Sequence, residues 1–254
     1  MRFTDTHTHL YDERLMADDG QIQRAIDAGV TKMYMPNCDR NTIERMMQIA
    51  DQWPINCLPM MGVHPCYIKA DYKEELHTAA AWLDKTKLYA IGEIGLDYYW
   101  DKTYIDQQKE AFETQIDWAL QHDLPIVIHS RESTQDCIEI VKKKQNGKLK
   151  GIFHCFSGSV QQAQQIVDLG FYLGIGGVVT YKTSNLPEII KAVSLEHIVL
   201  ETDAPYLAPV PYRGKRNESS YIPVIAQKIA DVMEMPLSDV ATITTRNAEK
   251  VFPV

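Results

Sequence analysis

Five strand-like segments of this chain end in a metal-type ligand, and that recurrence restricts the fold more than any other feature. Residues 3–9 carry His7 and His9, residues 89–93 end in Glu93, residues 125–129 in His129, residues 151–154 in His154, and residues 198–203 carry Glu201 and Asp203. A sixth segment, residues 60–65, delivers His64. Apolar runs of this kind read as buried parallel strands. In an α/β barrel the C-terminal ends of the strands are where catalytic side chains gather. Strands far apart in sequence would then bring His, Glu and Asp to one rim, the makeup of a metal-dependent hydrolase site.

The rest of the chain supplies the alternation that a barrel needs. Strands are expected over residues 2–6, 31–36, 55–63 (interrupted by Pro59), 88–94, 125–129, 151–154, 171–175 and 198–201. Helices are expected over 18–28, 41–52, 73–84, 104–121, 133–144, 159–169, 186–193, 220–233 and 238–251. The helix over 104–121 is the clearest, with Ile105, Gln108, Phe112, Ile116, Ala119 and Leu120 at helical spacing. Repeated βα units imply a parallel sheet, and eight of them favour a closed (β/α)8 TIM barrel. No linker or low-complexity tract divides the chain, so residues 1–254 read as a single hydrolase domain.

Composition narrows the setting. A chain of 254 residues, 45% hydrophobic and 24% charged, buries a core without disulfide staples. Its five cysteines form no CxxC pair and fit free thiols in a reducing compartment. No apolar stretch reaches membrane-span length, and the N-terminus enters a strand without a signal-peptide core, so a cytoplasmic protein is expected. A net charge of −8 excludes a basic footprint over the whole surface. It leaves room for a phosphate-bearing substrate, because bound cations and a few basic side chains invert the field locally.

Side chains at i and i+2 of a strand share a face, so His7 and His9 project together and can chelate one ion. Glu93 lies among apolar residues, where an unpaired carboxylate is costly, and its strand carries no basic partner. Its two oxygens could bridge two cations. His129 and His154 end short apolar strands at equivalent positions, and Asp203 follows another. Asp203 could both bind metal and take a proton from a bound water. Glu201 has two open roles, sharing that face to orient a ligand or forming a salt bridge inside the barrel. The set His7, His9, Glu93, His129, His154 and Asp203 is mixed N/O and too large for one tetrahedral centre. Two divalent ions are expected, or one tight site beside a labile one, with zinc, manganese or magnesium as the metal and a metal-held hydroxide as nucleophile.

The segments at residues 4–9 (TDTHTH), 62–65 (GVHP), 92–99 (GEIGLDYY), 129–131 (HSR), 154–158 (HCFSG) and 201–207 (ETDAPYL) together resemble the TatD family of metal-dependent deoxyribonucleases. The block at 213–218 (RGKRNE) resembles the family's next motif, and the likeness runs in order to Arg246-Asn247-Ala248. Two positions depart from the pattern. Tyr11 stands where many members have a short acidic or amide residue, and Ser219 where proline is common. The HxH pair places the chain in the subgroup that keeps it. The resemblance implies an amidohydrolase-like barrel that hydrolyses phosphodiester bonds in DNA. It implies the same six metal ligands, a catalytic trio of Asp203, Glu93 and His64, and contact of His64 with a substrate phosphate or a metal-bound water. It also implies that Asn217 and Glu218 lie at the substrate.

Three positive charges in residues 213–216, including Arg213 and Lys215, offer the best local phosphate contact, and Arg131 is a second candidate. Tyr98, with Tyr99 and Trp100, could stack on an unpaired base or simply pack its loop. The glycines at 174–177 lack dinucleotide-loop spacing and read as room for backbone beside the site. A small basic patch on a barrel rim grips long duplex poorly. The expected activity is therefore a 3′–5′ exodeoxyribonuclease acting on single-stranded or frayed ends. A hydrolase of carboxyl esters or amides, such as an aminoacyl-tRNA deacylase, would use the same ligands. A metal-loaded, non-enzymatic binding scaffold is the third reading.

Overall fold

The computed structural model describes residues 1–252. Eight parallel strands follow one another around a barrel: β1 (Phe3–Asp5), β2 (Val30–Pro36), β3 (Cys57–Met60), β4 (Ile91–Asp97), β5 (Ile126–Arg131), β6 (Gly151–Phe153), β7 (Tyr172–Ile175) and β8 (Ile198–Leu200). The ladder runs β1-β2-β3 and β4-β5-β6-β7-β8, and a few backbone hydrogen bonds close each seam. Met61 N–H donates to the Ala90 carbonyl (3.1 Å) and Gly92 N–H to that of Met61 (3.0 Å), joining β3 to β4. Thr6 N–H donates to Leu200 O and Asp203 N–H to His7 O, both at 2.9 Å, joining β1 to β8.

Among the described residues ten α-helices wrap the strands: α1 (Glu13–Met16), α2 (Gln21–Asp27), α3 (Ile43–Gln52), α4 (Tyr72–Ala80), α5 (Ile105–His122), α6 (Thr134–Lys144), α7 (Val160–Asp168), α8 (Leu186–Val193), α9 (Ile222–Met233) and α10 (Leu237–Val251). Their apolar faces pack on the outward side chains of the strands, as the 3.6-residue pattern requires. Several boundaries differ from the sequence reading, among them β4, which spans Ile91–Asp97 where 88–94 is expected. The third strand is shorter than 55–63, because residues 53–56 form a turn with Asn56 N–H on Trp53 O, leaving Ile55 exposed. The fourth helix tightens into i→i+3 turns beyond Ala80, with Trp82 N–H on Ala79 O. Helix α1 was not anticipated; it is a single turn capped by the Asp12 carboxylate.

A smaller apolar cluster, including Tyr34, Met60, Val127, Ile152 and Val199, fills the inside of the barrel. Phe252 stacks on Tyr34, with ring centroids 3.8 Å apart, and closes the bottom. Strand alternation then dictates what lies one layer up. Two residues beyond Val127, Ile152 and Val199 come His129, His154 and Glu201. The inner strand positions thus change from apolar to ligand-type at the C-terminal mouth, where barrel chemistry is built.

Candidate metal centre at the barrel mouth

Seven side chains from six strands or strand ends converge at this mouth. His7 and His9 follow β1, Glu93 lies within β4, His129 within β5, His154 follows β6, and Asp203 follows β8. His64 joins them from the turn after β3. His7, His9, Glu93 and His154 are almost fully buried. Three overlapping triads have donor atoms all within 4.8 Å of one another: His7–His9–Asp203, His7–Glu93–His154 and His64–Glu93–His129.

Glu93 is the hub. Its Oε2 faces His7 Nε2 at 3.1 Å and His9 Nε2 at 3.7 Å. Its Oε1 faces His129 Nδ1 at 2.9 Å, His154 Nε2 at 3.0 Å and His64 Nε2 at 3.3 Å. Asp203 Oδ1 completes the first side, 3.4 Å from His9 Nε2 and 3.8 Å from His7 Nε2. Among the described residues, every ion-pair partner of Glu93 is an imidazole, which removes the alternative of a barrel Lys or Arg. Burial opposes charge on Glu93, but His64, His154 and His7 outweigh it and hold the carboxyl well below its usual range. Burial likewise opposes protonation of His154, and Glu93 with Glu201 reverses this and raises the imidazole well above its usual value.

Outer partners set the ring tautomers. The Asp97 carboxylate accepts a hydrogen bond from His129 Nε2–H (2.9 Å) and is itself fixed by the backbone N–H groups of Tyr99 and Trp100. The Tyr11 hydroxyl donates to Pro36 O at 2.6 Å, so its oxygen accepts the Nδ1 proton of His9 at 2.9 Å. His129 Nδ1 and His9 Nε2 are left with lone pairs aimed at the carboxylates. His64 is the reverse case. Cys66 N–H donates to its Nδ1 (3.0 Å), so neutral His64 carries its proton on Nε2, facing the cluster as a donor. Glu201 Oε1 accepts from Cys155 N–H and sits 3.3 Å from His154 Nδ1 in ion-pair rather than hydrogen-bond geometry. The charged group beside Glu201 is thus an imidazole of the cluster rather than a barrel Lys or Arg. Gly174 makes room for it, since a Cβ there would lie 2.1 Å from Glu201 Oε2.

These residues fit divalent cations. Donors bound to one ion at about 2.0–2.1 Å in a tetrahedron lie roughly 3.3 Å apart. His7 Nε2 and His9 Nε2 are 3.3 Å apart, and the shortest of their contacts with Glu93 and Asp203 are 3.1 and 3.4 Å. Lone pairs facing one another at such distances need a proton or a cation between them. His7 Nδ1 and Glu201 Oε2 are buried without a hydrogen-bond partner, as functional polar clusters often leave groups. Asp97 carries no role in the sequence reading, although its even spacing from Glu93 on β4 is the signal that could have found it. Replacing Asp97 with Asn keeps the shape and removes the charge that orients His129. Affinity for a divalent ion is expected to fall about 10–100-fold, as is typical for such outer partners. Competition with a chromophoric chelator measures it, and unchanged affinity would refute the role.

The expected substrate contacts divide. Arg131 is exposed at the mouth and lies over the Tyr99 ring (3.9 Å) and the Trp100 ring (5.3 Å). Arg213 lies over Tyr181 (4.4 Å), and Lys215 is exposed. Arg216 is neutralised by Asp18 and Glu218, so the 213–216 loop offers two free cations rather than three. Asn217, Glu218 and Tyr98 are corrections. Asn217 is buried, its Nδ2 donating to Thr202 O (2.8 Å) and Tyr206 O (2.6 Å) and its Oδ1 accepting from Glu218 N–H (3.0 Å). It clamps the loop that carries Asp203. Glu218 is buried against Arg24 (2.7 Å) and serves the fold. Tyr98 packs inward with its hydroxyl on Asp136 (2.8 Å), leaving Tyr99 and Trp100 as the exposed rings of that loop.

Comparison with known proteins agrees with this geometry. The chain matches the family described as TatD related DNase over residues 4–253. It is 39% identical to the metal-dependent hydrolase YabD of Bacillus subtilis, with 98% of each chain aligned. It is 30% identical to the metal-dependent hydrolase YjjV of Escherichia coli K12, over 100% of this chain and 98% of that one. The crystal structure of YjjV, a TatD homologue, superposes with a TM-score of 0.93, covering 100% of this chain and 98% of the other at 28% identity. A TatD-family hydrolase from Entamoeba histolytica shares the fold, with a TM-score of 0.85 at 23% identity and 99% and 98% coverage. A match along almost the whole chain, joined to a barrel mouth lined by imidazoles and carboxylates, makes this protein a member of the TatD-related DNase family and a metal-dependent hydrolase of ester bonds.

Proposed function

We propose that the chain hydrolyses phosphodiester bonds of DNA, acting as a 3′–5′ exonuclease on single-stranded or frayed ends, with two divalent ions. The observation that carries this reading is the placement of Glu93, whose two oxygens each face a separate group of ring nitrogens. His7, His9, Asp203 and Glu93 Oε2 would hold one ion, and His129, His154 and Glu93 Oε1 the other. Bound divalent ions would neutralise phosphate charge and make water a nucleophile at neutral pH. The chain's own groups do the rest. Asp203 accepts the proton of the attacking water. His64, fixed with its proton on Nε2, donates to a phosphate oxygen. Arg131 on its aromatic platform of Tyr99 and Trp100 holds the strand, and Arg213 and Lys215 meet phosphates on the opposite side.

The sparse cation supply supports short single strands over long duplex. Net charge is −8, and the free cations near the mouth stand singly rather than in a stripe. Stacking on exposed rings works only on unpaired bases. The test offers linear single-stranded DNA, closed single-stranded circles and an aminoacyl ester in parallel. Linear strands should shorten stepwise from the 3′ end, while circles and ester stay intact. Efficient cutting of circles would overturn the exonuclease reading, and turnover of the ester alone would overturn the DNA reading.

A further inference from the structure

A cavity of about 320 Å³ opens beside the metal centre, between α1 and the turn after β3. His9 forms part of its wall, and Tyr67 and Tyr206 stand in its lining. Both tyrosines are half exposed, at 44% and 46%. Each ring also abuts an imidazole of the centre. Tyr67 meets His64 edge-to-face with centroids 6.2 Å apart, and Tyr206 meets His9 in the same way at 6.2 Å. Arg14 covers one face of Tyr206, its guanidinium carbon 4.6 Å from the ring centroid. Large exposed aromatics cost free energy in water, so a pair kept open against catalytic groups points to a guest with a π-face.

The charges of the cavity say what that guest is not. Arg14 is held by Asp12 in a two-pronged pair, with contacts of 2.8 and 2.7 Å. Arg45 is paired with Glu13 at 3.0 Å. Each cation in the lining thus has its own carboxylate, and none is left to receive a phosphate. The loop around Arg131 differs, because that guanidinium has only rings beside it. The cavity is at the small end of ligand sites, with room for one base and its sugar.

We infer that this cavity is the subsite for the terminal nucleoside of the strand, stacking its base on Tyr67 and Tyr206 and refusing a terminal phosphate. This rests on the DNA reading above. With the last base seated there, the adjoining phosphodiester falls over Glu93, and the rest of the strand leaves past Arg131. One nucleotide is then released per turnover because the cavity accepts only one.

The experiment uses metal-loaded enzyme and 5′-labelled single strands that differ only in the last residue: a normal nucleotide, an abasic tetrahydrofuran unit, or a normal nucleotide bearing a 3′-phosphate. The first cleavage is read. Base–aromatic stacking of about 1–3 kcal/mol corresponds to roughly 5- to 150-fold in kcat/KM. Wild type should lose that factor on the abasic end and should also cut the phosphorylated end more slowly than the normal one. Tyr67→Ala should lose part of it on the normal end, Tyr67→Ala combined with Tyr206→Ala should become indifferent to the terminal base with metal content unchanged, and Tyr67→Phe should keep base sensitivity. Equal rates on normal and abasic ends in wild type, or a Tyr67→Ala/Tyr206→Ala double variant that still senses the base, would overturn the subsite while leaving the nuclease reading standing. If wild type cuts none of the strands, both fall together.

Discussion

Glu93→Gln is expected to lower phosphodiester turnover by on the order of 10³-fold. The amide keeps the volume and one carbonyl oxygen but removes the negative charge that both groups of imidazoles share. A divalent ion stabilises transition-state charge by several kcal/mol, and each 1.36 kcal/mol is tenfold in rate. A single residue facing both halves of the site takes more of that contribution with it than a ligand on one side alone. Elemental analysis should show metal lost from the purified variant, and circular dichroism should show the barrel retained. A metal-replete variant with near-normal turnover would refute the hub role of Glu93.

Asp203→Asn is the second large effect, with kcat expected to fall about 10²–10⁴-fold, the usual contribution of a positioned proton acceptor. Burial opposes charge on Asp203, but its contact with His9 and the nearby His154 and His7 hold the carboxyl below its ordinary value. It is therefore ionised at neutral pH and able to accept a proton. The informative comparison is activity at rising metal concentration. If Asp203 served only as a ligand, excess metal would restore turnover to Asp203→Asn. As a proton acceptor its loss persists at saturating metal, with KM little changed.

The barrel and its rim were legible because both follow from short-range rules. Apolar runs of strand length alternate with helical spacing, and strand parity puts His129, His154 and Glu201 one layer above Val127, Ile152 and Val199. What escaped depends on contacts that sequence spacing does not encode. Ile55 reads as strand but lies in a turn fixed by Trp53. Arg216 reads as part of a phosphate-binding loop, and Asn217 and Glu218 as substrate contacts by resemblance. Yet Asp18 and Arg24, about two hundred residues away, neutralise two of them, and the clamp of Asn217 on Thr202 and Tyr206 takes up the third. The tautomer of His64 is decided by one backbone amide, that of Cys66, two residues on. The cavity between Tyr67 and Tyr206 joins segments 139 positions apart, and no local pattern announces it.

The seam between the first and last strands has a consequence for when the protein becomes active. The Asp203 N–H donates a hydrogen bond to the His7 carbonyl, so a contact that helps shut the ring also sets two proposed ligands side by side. A chain still emerging from the ribosome, with its final fifth unmade, has His7 and His9 but lacks the strand that brings Asp203 to them. The proposed ligand set is therefore assembled only once β8 has joined β1, and hydrolysis is expected to await closure of the circle.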